Sequence, residues 1–148
     1  MPNRRLVCKD LIGNWKISRY ISDALACSKS FYFGEAVILQ EGSNYRYNEC
    51  GKLKIANGAP LVAEQSYLWK PVELDVFDIC FKNGRSFHRL DLKGACGESN
   101  FCVEYLCIAD LYKISYNFSE FPFWYSVCSV KGPKKFYKIS SFFRRSYL

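Results

Sequence analysis

The sequence predicts an all-β fold: a single antiparallel barrel of about ten strands, preceded by one short helix. Three observations carry this reading. Hydrophobic residues make up 49% of the chain and aromatics 18%, and tyrosine, phenylalanine and tryptophan suit a half-buried pleated surface. Apolar residues alternate with polar ones along most of the chain, and no helical period runs beyond two turns. Turn signals built from Gly, Pro, Asn and Ser separate these alternating runs at short intervals. With 148 residues the chain forms one domain, residues 1–148, large enough to bury a core. Closure of the meander into a barrel removes its exposed edges.

Residues 5–12 allow one or two helical turns before Gly13, too few to stand without packing. From Gly13 to Ile21, Trp15, Ile17 and Ile21 share one face and Lys16 and Ser18 the other, with Arg19 falling on the apolar face. A small-residue loop is expected over Ser22 to Ser30, a strand over Phe31 to Gln40, and a turn over Glu41 to Asn44. Tyr45, Tyr47 and Glu49 share a face of the next strand, and Gly51 marks a bulge or close approach. Ala56 to Pro60 reads as a hairpin loop, Leu61 to Trp69 as a strand bringing Tyr67 and Trp69 together, and Lys70-Pro71 as a turn. Lys93 to Asn100, with Gly94 and Gly97, is the longest break in the pattern and reads as a surface loop. Tyr112, Ile114, Tyr116 and Phe118 then share a face. Phe121-Pro122 and Gly132-Pro133 turn the chain into its last two strands, Phe123 to Lys131 and Lys134 to Arg145.

The clearest local signal is the stretch from Phe77 to Leu90. Asn83-Gly84 predicts a two-residue type I′ turn, which needs two residues tolerant of positive φ. Pairing back from that turn sets Ile79 opposite His88 and Asp78 opposite Arg89. Phe77, Ile79, Phe81, Ser86, His88 and Leu90 then share one face, while Asp78, Cys80, Lys82, Arg85, Phe87 and Arg89 share the other. The charged face is the wet one, so the single histidine of the chain points into an apolar interior.

Lysine and arginine number 21 against 14 acids, a net charge of +7. The balance favours anionic partners at long range, but the charges are spread along the chain and read as solvated strand faces. No signal-peptide apolar region forms after the first arginines, and no run reaches the length of a membrane span. A cytoplasmic protein with no membrane partner is expected. In a reducing compartment the 8 cysteines read as free thiols packed as small hydrophobes.

Gly13-x-Trp15 opening the first strand, with Arg144 and Arg145 ending the last, resembles the calycin superfamily to which lipocalins belong. That resemblance implies a tryptophan closing one barrel end under a late arginine. Further motifs resemble a lipocalin-like family catalogued as domain of unknown function 6314: Tyr47-x-Glu49-x-Gly51, Tyr67-Leu68-Trp69, Gly84-Arg85-x-Phe87-His88, Cys107-x-x-Asp110-x-Tyr112, Trp124, and Gly132-Pro133-x-Lys135-x-Tyr137. The sequence departs from that pattern at Asn83, Tyr105 and Ile108. The resemblance implies a closed lipocalin-like barrel with an internal cavity and brings no established activity. On it Gly13, Trp15, Arg144 and Arg145 are structural, and the hairpin turn makes Asn83 and Gly84 structural as well.

Strand phasing sets Glu49, Tyr67, Trp69, His88, Tyr112, Lys135 and Tyr137 inward, with Arg19 and Asp110 near the ends. Together with Tyr47 and Trp124 they form the candidate ligand-binding set. A barrel filled only for stability would use aliphatic residues, because buried polar groups must be hydrogen-bonded. The expected partner is therefore a small, partly apolar, oxygen-bearing organic molecule, anionic if Arg19 and Lys135 lack inward counter-charges. The competing reading is a self-satisfied network, with Glu49 bonded to Arg19 and His88 to a tyrosine. An enzyme using His88 as base with Lys135 or a tyrosine stabilising an enolate is a further alternative. No catalytic residue, cofactor or metal is assigned. Haem through His88 is the cofactor alternative, and zinc at Cys96, Cys102 and Cys107 lacks paired spacing. Single-stranded nucleic acid could use Lys131, Lys134, Lys135, Lys138, Arg144 and Arg145 interleaved with Phe136, Tyr137, Phe142 and Phe143. Strand alternation scatters those residues over both faces, so nucleic acid is not the expected partner. Oligomeric state is not legible.

Overall fold

The computed structural model describes residues 5–93, 101–107 and 109–147, with the backbone alone for 101–107. The expected loop beyond Lys93, Ile108 and the side chains of Cys96, Cys102, Tyr105 and Cys107 lie outside the described residues. One 3-10 turn (Cys8–Leu11) precedes ten strands: β1 (Gly13–Asp23), β2 (Ser28–Glu41), β3 (Asn44–Ile55), β4 (Leu61–Glu73), β5 (Val76–Phe81), β6 (Ser86–Asp91), β7 (Phe101–Cys107), β8 (Asp110–Asn117), β9 (Trp124–Gly132) and β10 (Lys135–Arg145). They form one antiparallel sheet in the order β6-β5-β4-β3-β2-β1-β10-β9-β8-β7. The sheet curls until β6 and β7, the two ends of that order, lie beside each other. Alternation produces the two sides directly: along β1, Trp15 and Ile17 are buried while Lys16 is exposed.

The strands run longer than the sequence alone indicates. Ser22 pairs with Lys29 and Asp23 with Ser28, so the ladder consumes most of the expected small-residue loop and leaves residues 24–27. Pro71 does not turn the chain. It stays in β4 opposite Phe77, where the register shifts before Glu73, an irregular site that tolerates a residue without an N–H. Gly51 makes no bulge but is a point of close approach: it sits in an unbroken ladder opposite Gly34, and a side chain there would strike the Phe33 carbonyl and the Gly34 backbone.

The β5–β6 hairpin differs from the expected type I′ turn. Gly84 has φ +89° while Asn83 keeps negative φ, and the Gly84 N–H donates to the Phe81 carbonyl at 2.8 Å. The Phe81 N–H donates to the Arg85 carbonyl, also at 2.8 Å, so the loop holds three residues, with glycine in the left-handed position. Asn83 instead accepts from the Arg85 N–H through its side chain at 3.0 Å. The extra residue is cancelled by a second irregularity: Cys80 pairs with Ser86 but Ile79 with His88, leaving Phe87 bulged. His88 therefore faces inward opposite Ile79. The bulge also turns Phe87 off the charged face to line the interior.

One end of the barrel is plugged. Trp15 is fully buried, and its indole N–H donates to the Leu11 carbonyl at 3.0 Å. The Arg145 guanidinium lies 4.0 Å from the Trp15 ring centroid and donates to the Ile12 carbonyl at 2.7 Å and the Asp10 carbonyl at 3.0 Å. A side chain at Gly13, whose φ is +138°, would strike that guanidinium, which is why a glycine stands two residues before the tryptophan. Arg144 does not share this role. It is exposed, opposite Lys16, because neighbouring strand residues face opposite sides. Above Trp15, Trp124 stacks on Phe143 at 3.8 Å between centroids.

Candidate functional site

Beyond the plug the sheet encloses a cavity of about 450 Å³, the size of a small-molecule site. Trp69, Tyr47, Ile79, His88, Tyr116, Trp124 and Phe143 form its deep wall, while Arg19, Ile21, Gln65, Tyr67, Phe81, Phe87, Tyr112 and Cys128 line the upper part. Burial falls away from the plug: Trp124, Phe143 and Trp69 are buried, Cys128, Ile139 and Tyr67 are partly exposed, and Gln65 is exposed. The open end is thus the one carrying the β1–β2, β3–β4, β5–β6 and β9–β10 turns.

Eight of the eleven candidate residues line the cavity: Arg19, Tyr47, Glu49, Tyr67, Trp69, His88, Tyr112 and Trp124. Three do not. Lys135 is exposed at the open end and pairs with Asp110 at 3.0 Å, a contact that raises the lysine pKa. Tyr137 is half-buried, two register steps beyond the pair that closes the β9–β10 turn, and outside the cavity wall. The pairing of His88 with Lys135 therefore does not form. The nucleic-acid set divides as alternation requires, Phe143 inward and buried, Phe136 and Arg144 exposed.

Both links of the self-satisfied network are present alongside the cavity. Arg19 donates to both Glu49 oxygens at 2.6 and 2.9 Å and to the Ser141 hydroxyl at 2.7 Å. Tyr47 adds a 2.5 Å hydrogen bond to Glu49. Burial would lower the arginine pKa, but the hydrogen bonds and charge of Glu49 outweigh it and raise it. This inward cation has its counter-charge within the protein. His88 Nε2 lies 2.8 Å from the Tyr116 hydroxyl. Burial pushes the His88 pKa down to about 4, so the ring is neutral at pH 7 and one of its nitrogens accepts while the other donates. Burial raises the Tyr116 phenol as well and pushes the Cys128 thiol up to about 11, which makes that cysteine a poor nucleophile.

What the network does not satisfy lies deeper. Trp69 Nε1, Trp124 Nε1 and His88 Nδ1 are buried without a hydrogen-bond partner among the described residues, and all three side chains line the cavity. Tyr47 stacks on Trp69 at 5.4 Å with a 2° interplanar angle, fixing the indole. Tyr116, Ser126, Cys128 and Phe87 also line the cavity and were not among the candidates. Period-two alternation already sets Tyr116 beside Tyr112, and Ser126 and Cys128 beside Trp124. Phe87 reaches the wall only through the bulge, which has no sequence signal of its own.

The sequence and fold agree on what this chain is: a lipocalin-like barrel, plugged at one end and open at the other. It belongs to the family of unknown function DUF6314, whose model matches residues 11–145; the lipocalin likeness comes from the fold, not from that family's description. No curated protein sequence matches the chain. Among solved structures, the S-type phycobiliprotein lyase CPES from Guillardia theta is similar, with a TM-score of 0.66 at 10% identity over 95% of this chain and 90% of that one. Identity that low speaks for the shared barrel alone. Among the described residues no helix is long and apolar enough to cross a membrane, and no cluster of three or more potential ligands is placed to hold a metal ion.

Proposed function

We propose that the barrel binds one small, uncharged, largely apolar organic molecule carrying hydrogen-bond acceptors. The observation that supports this is an aromatic cavity three of whose lining side chains, Trp69, Trp124 and His88, each hold a buried nitrogen (Nε1, Nε1 and Nδ1) with no hydrogen-bond partner among the described residues. Each indole N–H is a donor only, and leaving such a donor unmet costs about 1–3 kcal/mol. A ligand with oxygen or ring-nitrogen acceptors would meet both, while its apolar body replaces water against the rings. A net charge on the ligand has little to pair with, because Arg19 is held by Glu49 and Lys135 by Asp110 outside the cavity. On this reading the ligand is neutral and not anionic. Binding rather than turnover is the reading, since His88 is a weak base and Cys128 a weak nucleophile.

Native mass spectrometry of the purified protein, followed by denaturing release and identification of the adduct, tests this directly. An adduct of a few hundred daltons, lost in Trp69→Phe/Trp124→Phe, is expected. His88→Ala should weaken binding by about 1–3 kcal/mol with the fold intact. A bare-chain mass, together with a crystal structure showing only ordered water on these three atoms, would reject it.

A further inference from the structure

We propose that the open rim of the barrel docks on an anionic lipid surface. The fold gathers at this end charges that are scattered in the sequence. Lys29, Lys54, Lys82, Arg85, Lys131 and Lys134 are all exposed here, on or next to the turns that ring the cavity mouth. A seventh cation, Lys135, holds Asp110. Of the other carboxylates described near this end, Asp23 is turned into its own loop, accepting from the Leu25 and Ala26 N–H groups at 3.1 Å, and Glu64 stands exposed on β4 two residues beyond Val62. The plugged end is different, for Asp10, Glu41, Glu73, Asp75, Asp91 and Glu120 lie there among its cations. The molecule is therefore electrically polar along the barrel axis, positive at the mouth.

The same rim exposes apolar side chains: Leu25 is 61% exposed, Leu61 55%, Val62 71%, Ile55 47% and Phe136 50%. They are neighbours and not isolated residues. The Ala24 N–H donates to the Phe136 carbonyl at 2.9 Å, and the Ala56 N–H to the Lys29 carbonyl at 3.2 Å. The β9–β10, β1–β2 and β3–β4 turns are thus laced side by side, and their exposed apolar side chains crest one arc of the rim among the lysines, Ile55 and Leu61 on its inner side and Val62 and Phe136 on its outer. A crest of aliphatic and aromatic side chains with basic residues on both sides matches the interfacial region of a bilayer, where apolar groups enter the acyl boundary and lysines meet anionic headgroups. An acidic protein or a nucleic acid would use the charges but leave the leucines wet. The contact stands whether or not the cavity is filled. It would also hold the mouth against the phase in which an apolar ligand is most concentrated.

Co-sedimentation with vesicles of phosphatidylcholine alone, and of phosphatidylcholine with phosphatidylserine, tests the proposal. Binding is expected to the anionic vesicles and to fall with salt. Lys29→Gln/Lys54→Gln/Lys134→Gln should weaken it roughly a hundredfold, at about fivefold per lysine near the surface. Leu25→Ser/Leu61→Ser should weaken it roughly tenfold, and Lys9→Gln/Lys16→Gln/Arg144→Gln at the plugged end should leave it unchanged. In the unmodified protein, hydrogen exchange should slow in residues 24–27 and 56–60 on vesicle addition and not in the turn at 42–43. Absence of anionic-vesicle binding would overturn the proposal. So would equal losses from the two lysine triples. Binding indifferent to the leucines would assign the rim to a soluble polyanion instead.

Discussion

Replacing His88 by glutamine should remove a pH dependence from the stability of the barrel. His88 is 8% exposed, and burial lowers its pKa from 6.5 to about 4. In the unfolded chain it titrates near 6.5, so between pH 6.5 and 4 the unfolded state binds a proton that the native state does not. Stability attributable to this site is therefore complete above pH 6.5 and is lost as pH falls toward 4. At pH 4.5 the unfolded form gains a factor of about 100 from protonation and the native form about 1.3, a ratio near 80, or about 2.5 kcal/mol. Glutamine keeps a polar group beside Tyr116 and cannot titrate. Urea melts at pH 7 and 4.5 report the difference: acidification should cost the unmodified protein about 2.5 kcal/mol more than the variant, about 1 M in midpoint. Every carboxylate titrates in both proteins, so their contributions cancel. A difference below about 0.5 kcal/mol would refute the picture of a histidine held neutral by burial.

Breaking the pair inside the barrel should cost more than deleting it. Arg19→Met leaves the Glu49 carboxylate, whose side chain is 4% exposed, without its counter-ion and should destabilise by about 3 kcal/mol, most of which Arg19→Met/Glu49→Leu recovers; additive losses in denaturant melts would contradict this. Arg145→Ala removes the cation over Trp15 and strands the Asp10 and Ile12 carbonyls, an expected loss of about 2–4 kcal/mol. Arg145→Lys should rescue little, since one ammonium cannot serve both carbonyls and the indole face; a lysine variant melting with the unmodified protein would show that the stacking geometry is unimportant. Trp69→Phe deletes an unmet donor but also ring volume stacked on Tyr47, so a loss of no more than about 2 kcal/mol is expected together with weaker ligand binding; unchanged ligand affinity would contradict a role for this indole in binding.

The fold was legible because alternation is a local property: Trp15, Ile17 and Arg19 face inward for the same reason that Lys16 faces out. The inward phase of His88 was also legible, though by a route the sequence conceals. The turn is one residue longer than Asn83-Gly84 implies and the bulge at Phe87 removes one, so two departures cancel. Their residue is Phe87, which no pattern would move inside. Lys135 shows the opposite limit. Its parity is inward, but it begins β10, where a long side chain reaches Asp110 at the rim instead of the interior. The basic rim was not legible at all, since Lys29, Lys54, Lys82 and Lys134 are far apart in sequence and become neighbours only once the turns are brought to one end.

The position of β1 bears on how the chain is made. It sits between β2 and β10, so the first six strands form one meander, the last four another, and the ladder joining them needs residues 137–145. As the chain leaves the ribosome, β1 must wait with one edge unpaired until the final strand emerges, and Trp15 waits for Arg145. A chain stalled before residue 137 would carry an open edge beside an uncovered tryptophan, the combination that recruits other strands. Closure of the barrel therefore waits on β10, the last of its strands to be made.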